Sequence, residues 1–158
     1  MTPKYAVDTQ VFNWIRDFGF ELSAYLPAQF FISAVQAAEL QAAKDAALLN
    51  LVEVWVDDTH PAESFVFGAK GLGFGQWKWS DGVTYERILE ALNSANRKAN
   101  NVEDALIGEH AIKNGLILLT GDKILAETMS SLGAQVRFIE HPSKSERGAT
   151  PCAATTRP

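Results

Sequence analysis

Four acidic residues lie far apart along the chain but share a setting that could bring them together. Asp8 and Asp122 each follow a short apolar run and precede a helical pattern, whereas Glu39 and Asp104 lie within predicted helices. Carboxylates gathered in one cleft repel one another, so a gathered set implies a bound cation. Oxygen ligands without His or Cys suit Mg²⁺ or Mn²⁺. Such ions bind phosphate oxygens and lower the pKa of bound water, which is the chemistry of phosphodiester hydrolysis.

Each of these acids, taken alone, also has an ordinary structural explanation. Asp8 and Asp122 stand where aspartate is a favoured helix N-cap. Asp104 follows Asn101 by one helical turn and would interact favourably with the helix dipole. Glu39 fits a solvated helix position. It is the joint placement of the four residues that predicts a metal site.

The elements that must position these acids alternate between strand and helix. Ser33 and Gln36 form a capping-box pattern, and Asn101 is predicted as an N-cap. Strands are predicted at 4–7, 30–32, 116–119 and 135–139. Helices are predicted from Asp8 to Gly19, Ser33 to about Asn50, Thr84 to about Ala99, Asn101 to Asn114, and Asp122 to Gly133. Residues 57–61 break the pattern. This order predicts an α/β fold: a three-layer α/β/α sandwich with a central, mainly parallel sheet. Sites in such sheets form at the carboxyl ends of the strands, where these acids would converge.

Composition describes an ordinary globular protein with an acidic balance. The 158 residues are 47% hydrophobic and 21% charged, enough for one domain with a real core. A protein that held nucleic acid mainly through phosphate contacts would be expected to be basic, yet the net charge is −5. The acid excess must be a solvated surface, a metal site, or both. The single cysteine, Cys152, excludes an internal disulfide, and no Cys/His spacing suggests zinc. No apolar run reaches membrane-spanning length and residues 1–8 do not form a signal peptide, so we expect a cytoplasmic location.

Four stretches carry a resemblance to a known family. They are 5–9 (YAVDT), 31–40 (FISAVQAAEL), 103–108 (EDALIG) and 114–122 (NGLILLTGD), and they frame the span from residue 4 to 140. In order and spacing the chain resembles the PIN domain ribonucleases, in particular the toxins of VapBC type. The resemblance implies that the catalytic and metal-binding residues are Asp8, Glu39, Asp104 and Asp122, supported by Thr120 through its hydroxyl and more weakly by Thr9. Asp8, Asp104 and Asp122 would hold the metal directly, with Glu39 a ligand or the orienter of the attacking water.

The function implied by this resemblance is a Mg²⁺- or Mn²⁺-dependent endoribonuclease that cleaves single-stranded RNA with metal-activated water. It also implies the toxin of a type II toxin–antitoxin pair, an antitoxin partner and a homodimer. Residues 1–141 would be the PIN-like nuclease domain and 142–158 a disordered tail. One alternative is an inactive PIN-like binding module, against which all four acids argue. Another is a metal-dependent phosphatase of the haloacid dehalogenase type, which needs a second acid where Gln10 stands.

Residues 57–100 do not match the family pattern closely. Within them, the segment 65–82 is rich in glycine and aromatic residues. Its aromatics could pack as core, form a partner surface, or stack on unpaired bases with Lys70 and Lys78 near phosphates. Arg97 and Lys98 could contact RNA or could simply end a solvated helix. The three histidines, His60, His110 and His141, are assigned no catalytic role.

Overall fold

The computed structural model describes residues 1–63 and 82–144, which form one parallel sheet flanked by helices. The strands are β1 (Lys4–Val7), β2 (Gln29–Ser33), β3 (Asp58–His60), β4 (Ile117–Thr120) and β5 (Val136–Phe138). The helices are α1 (Thr9–Phe18), α2 (Ala34–Ala43), α3 (Ala46–Trp55), α4 (Val83–Ala95), α5 (Asn101–Lys113) and α6 (Lys123–Ser131), with 3₁₀ turns at Leu22–Tyr25 and Pro142–Lys144. Across these residues, each helix is too short or too polar to span a membrane.

The sheet has the order β3-β2-β1-β4-β5, and every neighbouring pair is parallel. Strand β1 lies at its centre and pairs with β2 on one side and β4 on the other. The carboxyl ends of these three strands therefore meet at one edge of the sheet. The predicted α/β/α architecture with a parallel sheet is confirmed.

Alternating strand residues pack in two separate hydrophobic cores, one on each face of the sheet. Ala6, Phe31 and Leu118 pack with the apolar sides of α4, α5 and α6. Their neighbours in sequence pack with α1 and α3 on the opposite face; these are Val7, Phe30, Ile32 and Leu119. Both faces are buried, which explains the continuous apolar runs that the strands show in sequence.

Helix α2 lies across the boundary between the two cores, since it gives Val35 to one and Leu40 to the other. The prediction of a single helix from Ser33 to about Asn50 is wrong at Lys44. Lys44 adopts a left-handed conformation (φ 53°), and Asp45 caps the next helix by accepting from the amides of Ala47 and Leu48. Asp45 also accepts a hydrogen bond from Arg16 of α1, so the break docks α3 beside α1.

Other parts of the structure also differ from the sequence prediction. The pattern break at 57–61 contains a strand, β3, because Asp57 exchanges hydrogen bonds with the backbone of Phe30 and starts parallel pairing with β2. Helix α4 ends at Ala95 rather than about Ala99. Asn100, not Asn101, occupies the N-cap position of α5. Asn101 is buried instead, and its amide donates to Asn93 and to the carbonyl of Asn96.

Two predictions fall largely on residues that the structure does not describe. The glycine- and aromatic-rich segment 65–82, with Lys70 and Lys78, lies outside the described residues except for Gly82, which precedes α4. The tail predicted at 142–158 lies outside them from residue 145 onward.

Gly121, between β4 and Asp122, provides a test of how tightly the chain packs here. A Cβ atom at this position would overlap the ring of the buried Trp14. We expect Gly121→Ala to lower the free energy of unfolding by about 1–3 kcal/mol, because the ring that the Cβ would overlap is rigid and buried. Urea denaturation measures the effect.

Gly108→Ala is the matched comparison. Its Cβ would meet the flexible end of Met129, which can shift more easily than a ring. We expect a smaller loss than for Gly121→Ala, and equal losses would contradict the role assigned to Trp14.

Candidate active site

An open cleft of about 570 Å³ lies at the carboxyl edge of β1, β2 and β4. Its lining consists of Asp8, Thr9, Gln10, Asn13, Glu39, Ala99, Asn100, Glu103, Asp104, Ile107 and Asp122. All four acids singled out in the sequence therefore border the same space. The supporting residues also lie here, Thr9 in the lining and Thr120 directly behind it.

The hydroxyl of Thr120 joins two of these acids. It donates to Oδ2 of Asp8 over 2.6 Å and accepts from the backbone amide of Asp122 over 3.0 Å. The other oxygen of Asp8 accepts from the amide of Gln10 at the start of α1, and Oδ1 of Asp122 accepts from the amide of Leu125 at the start of α6. Both aspartates thus cap the helices that follow their strands, and these hydrogen bonds restrict the orientation of the two side chains at the strand ends.

Glu39 enters the cleft from α2, whose start is fastened to β1. Ser33 and Gln36 form the predicted capping box. The buried amide of Gln36 also donates to the carbonyl of Val7 over 2.6 Å and to the hydroxyl of Thr9 over 3.3 Å. These bonds tie the helix that carries Glu39 to the residues on either side of Asp8. Thr9 therefore lines the cleft and also helps to hold α2 through Gln36.

Helix α5 contributes two adjacent acids, Glu103 and Asp104, of which only Asp104 was singled out in the sequence. Asn100, Glu103, Asp104 and Ile107 all line the cleft. Their spacing of i, i+3, i+4 and i+7 is that of one helix face. This spacing is the signal by which Glu103 could have been recognised in the sequence.

Crowding and burial shift the protonation of these groups. Burial, reinforced by the charges of Asp8 and Asp122, raises the pKa of Asp104 to about 7. Burial, followed by Glu103 and Asp8, likewise raises the pKa of Glu39 to about 7. Burial also raises the pKa of Asp8, although the Thr120 hydroxyl opposes the shift. Strongly perturbed carboxyl groups in a cleft are typical of functional sites.

Two polar side chains from the connection between α4 and α5 contact the acids. Lys98 Nζ lies 3.2 Å from Oδ2 of Asp122, and the amide of Asn100 donates to Oδ2 of Asp104 over 3.2 Å. Burial would raise the pKa of Asp122, but the amide of Leu125 and the ammonium of Lys98 outweigh burial and lower it. Within 1–63 and 82–144, no three Asp, Glu, His or Cys side chains are already drawn together as a metal cage.

The donor chemistry of the cleft nevertheless fits a hard divalent cation. Five carboxyl groups line it, those of Asp8, Glu39, Glu103, Asp104 and Asp122, with no histidine or cysteine among the described lining residues. Oε2 of Glu103 is buried and has no hydrogen-bond partner within the described part of the chain. Buried oxygens without donors are expected where a cation supplies the missing positive charge.

The histidines lie elsewhere. His60 at the end of β3 and the fully buried His110 of α5 are in contact, with Nδ1 of the first 3.0 Å from Nε2 of the second. His141 packs edge-on against Trp14 and Phe18. None of the three is among the residues that line the cleft.

Solved structures share this architecture at low sequence identity. VapBC2 of Rickettsia felis, in complex with a DNA fragment from its promoter, matches with a TM-score of 0.55 and 17% identity over 87% of this chain and 99% of the other. VapBC-1 of nontypeable Haemophilus influenzae matches with a TM-score of 0.53 and 18% identity, over 85% of this chain and 97% of the other. A domain of a functionally unknown Methanocaldococcus jannaschii protein matches with a TM-score of 0.50 and 18% identity, over 99% of this chain and 100% of the other. No protein-family model and no curated protein matches the chain.

The chain has a PIN-like fold, which it shares with these VapBC structures. The fold expected from the resemblance of the four sequence stretches is thereby confirmed. At these identities the likeness establishes the PIN-like fold alone, so the chemistry must be argued from the cleft itself.

The Thr120 hydroxyl gives a first test of the site. Thr120→Val removes the donor to the buried Asp8 carboxylate while preserving side-chain shape. We expect a loss of about 1–3 kcal/mol in the free energy of unfolding, because a buried acceptor loses its partner. Thr120→Ser keeps the hydroxyl and should cost clearly less in the same urea denaturation. Equal losses from the two variants would contradict the role of the hydrogen bond.

The raised carboxyl pKa values give a second test, in EDTA-treated protein. The folded protein holds protons on Glu39 and Asp104 at pH values where the unfolded chain, with ordinary values of 4.5 and 3.8, has lost them. The resulting stability is present in acid and disappears as the pH rises through about 7. Glutamine mimics the protonated form at every pH. The melting temperature of Glu39→Gln should therefore rise relative to wild type between about pH 5 and about pH 8.

Glu127→Gln is the matched control, since Glu127 is 68% exposed on α6 and pairs only loosely with Lys123 at 3.7 Å. Its difference from wild type should stay flat over the same range. A flat difference for Glu39→Gln as well would mean that Glu39 does not titrate as the geometry requires.

Proposed function

We propose that this protein is a Mg²⁺- or Mn²⁺-dependent endoribonuclease that cleaves single-stranded RNA in the cleft of the PIN-like fold. The observation that carries the proposal is the convergence of Asp8, Glu39, Asp104 and Asp122 on one cleft at the carboxyl edge of the sheet. Glu103 adds a fifth carboxyl group whose buried oxygen has no donor within the described residues. Such crowding costs stability unless a cation is bound. The choice of RNA rests on the resemblance of the sequence stretches to PIN ribonucleases.

The chain's own residues divide the work. Asp8, Asp104 and Asp122 would hold a divalent ion directly through their carboxylate oxygens. When bound, that ion neutralises phosphate charge and acidifies water. Glu39, with its pKa near 7, is suited to accept a proton from the attacking water or to orient it. Thr120 favours the ionised form of Asp8 and orients it, because its hydroxyl donates to that carboxylate and opposes the burial that raises its pKa.

The net charge of −5 is consistent with this assignment. A phosphate cannot approach five carboxyl groups unless cations reverse the local field. We therefore expect both the binding of RNA and its cleavage to depend on the metal. This coupling separates the proposal from a nucleic-acid-binding module that works through a basic surface.

The decisive test is cleavage of a single-stranded RNA oligonucleotide by the purified chain. We expect activity with Mg²⁺ or Mn²⁺ and none with EDTA. Asp8→Asn and Asp122→Asn keep size and shape but remove a ligand charge, so each should lower the rate at least about 100-fold. Glu39→Gln should lower it by about 10- to 100-fold if Glu39 orients water rather than holding the metal.

Matched controls are Asp17→Asn and Glu127→Gln, whose side chains are exposed and are not among the residues that line the cleft. Both should cleave at the wild-type rate. Mn²⁺ should also raise the melting temperature of the wild type, and less so that of Asp8→Asn, because the ion binds the folded state. Cleavage that survives EDTA and Asp8→Asn would overturn the assignment. Metal binding without cleavage would instead support the inactive binding module.

We further propose that the chain is the toxin of a type II pair and works in the cytoplasm with an antitoxin partner and as a homodimer. Two of the structurally similar proteins are VapBC complexes. Expression of the chain alone in bacteria should arrest growth, while Asp8→Asn should not. Light scattering should give the mass of a dimer. Normal growth with active, soluble enzyme would count against the toxin role without affecting the nuclease assignment.

A further inference from the structure

Lys98 contacts one specific oxygen of Asp122. Oδ1 of Asp122 accepts from the amide of Leu125 and so is committed to capping α6. Oδ2 is the remaining oxygen, and Lys98 Nζ lies 3.2 Å from it. A cation held by Asp122 in the cleft would use this oxygen most readily, because Oδ1 already accepts from an amide. Lysine pairing and metal ligation by Asp122 therefore oppose each other, since two cations at one carboxylate repel.

The backbone that carries Lys98 is anchored, whereas the side chain is held by a partly exposed ion pair with Asp122. The connection 96–100 is fastened where α5 begins, since the amide of Asn101 donates to the carbonyl of Asn96 over 2.8 Å and to Asn93 over 2.9 Å. Ala99 and Asn100, directly after Lys98, line the cleft. The Lys98 side chain is 34% exposed, so it can leave Asp122 without disturbing the core. A lysine held in this way stays beside the cleft after it gives up its carboxylate.

A displaced Lys98 would remain beside the cleft, because the next two residues, Ala99 and Asn100, line it. Its ammonium is a mobile point charge with several donors, which suits a phosphate oxygen. Among the described residues that line the cleft there is no lysine or arginine. The same lysine can thus pair with Asp122 before the metal binds and with a phosphate of the RNA afterwards.

We propose that Lys98 is an exchangeable counterion of the site, which neutralises Asp122 until a divalent metal displaces it and then binds a phosphate oxygen of the RNA. This inference rests on the proposed function. It assigns to one residue two effects of opposite sign, because Lys98 opposes metal binding and favours substrate binding. A lysine that only supports the fold would change both in the same direction.

The test uses the full chain, stripped of metal with EDTA and dialysed, with Mn²⁺ binding measured by calorimetry in the absence of RNA. Lys98→Met should bind Mn²⁺ about two- to fivefold more tightly, the range expected for removal of a partly exposed competing ion pair. At saturating Mn²⁺, its KM for single-stranded RNA should rise severalfold with a smaller change in kcat. Lys98→Arg, which keeps the charge, should stay close to wild type in both measurements.

Lys123→Met is the matched control, because it removes the same charge from the residue next to Asp122. The Lys123 side chain is 77% exposed and pairs with Glu127 rather than with the cleft. Tighter Mn²⁺ binding and a higher KM in Lys98→Met alone would support the exchange. Unchanged or weaker Mn²⁺ binding in Lys98→Met, or equal tightening in Lys123→Met, would overturn it. Failure of the wild type to bind Mn²⁺ would overturn the proposed function itself, and a wild type that binds Mn²⁺ while Lys98→Met binds identically would overturn only this inference.

Discussion

The hydrogen bond from Thr120 to Asp8 is the interaction on which the site depends. Asp8 is almost fully buried at the end of the central strand, where an ionised carboxylate is costly without a donor. Thr120 lies at the end of the neighbouring strand and supplies that donor, while its oxygen also accepts from the amide of Asp122. One hydroxyl thus fixes two acids from opposite ends of the sequence. The parallel pairing of β1 and β4 is what brings it within reach.

Around this bond the protein gathers charge that a core would normally avoid. Glu39, Glu103 and Asp104 approach Asp8 from α2 and α5, and the pKa values of Glu39 and Asp104 rise to about 7 as a result of burial and repulsion. The fold tolerates this because rigid elements hold each side chain. Gln36 fastens α2 to β1, and two complete apolar cores lie behind the sheet edge. Stability drawn from the cores therefore offsets the strain of an acidic cleft.

The sequence predicts most of this arrangement, because apolar periodicity and helix caps are local signals. Buried strands, the capping box at Ser33 and the position of Asp8 and Asp122 after strands are all readable without a structure. Features that depend on distant partners are not. Strand β3 is exposed and lacks an apolar pattern, so only its pairing with β2 defines it. The helix break at Lys44 is explained by the contact between Asp45 and Arg16, which are distant in sequence. The Lys98–Asp122 pair likewise joins two segments whose proximity no local sequence pattern indicates.

The separation of Asp8 and Thr120 by 112 residues has a consequence for synthesis on the ribosome. Strand β1 emerges first, but its partner β4 and the acid that follows it are made near the end of the domain. Closing so long a loop is slow, as for other folds built on non-local pairing. A nascent chain that stops before Thr120 lacks Asp122, and it also lacks the hydroxyl that donates to Asp8. The cleft is therefore assembled only once translation of the domain is almost complete, and prematurely terminated fragments lack it.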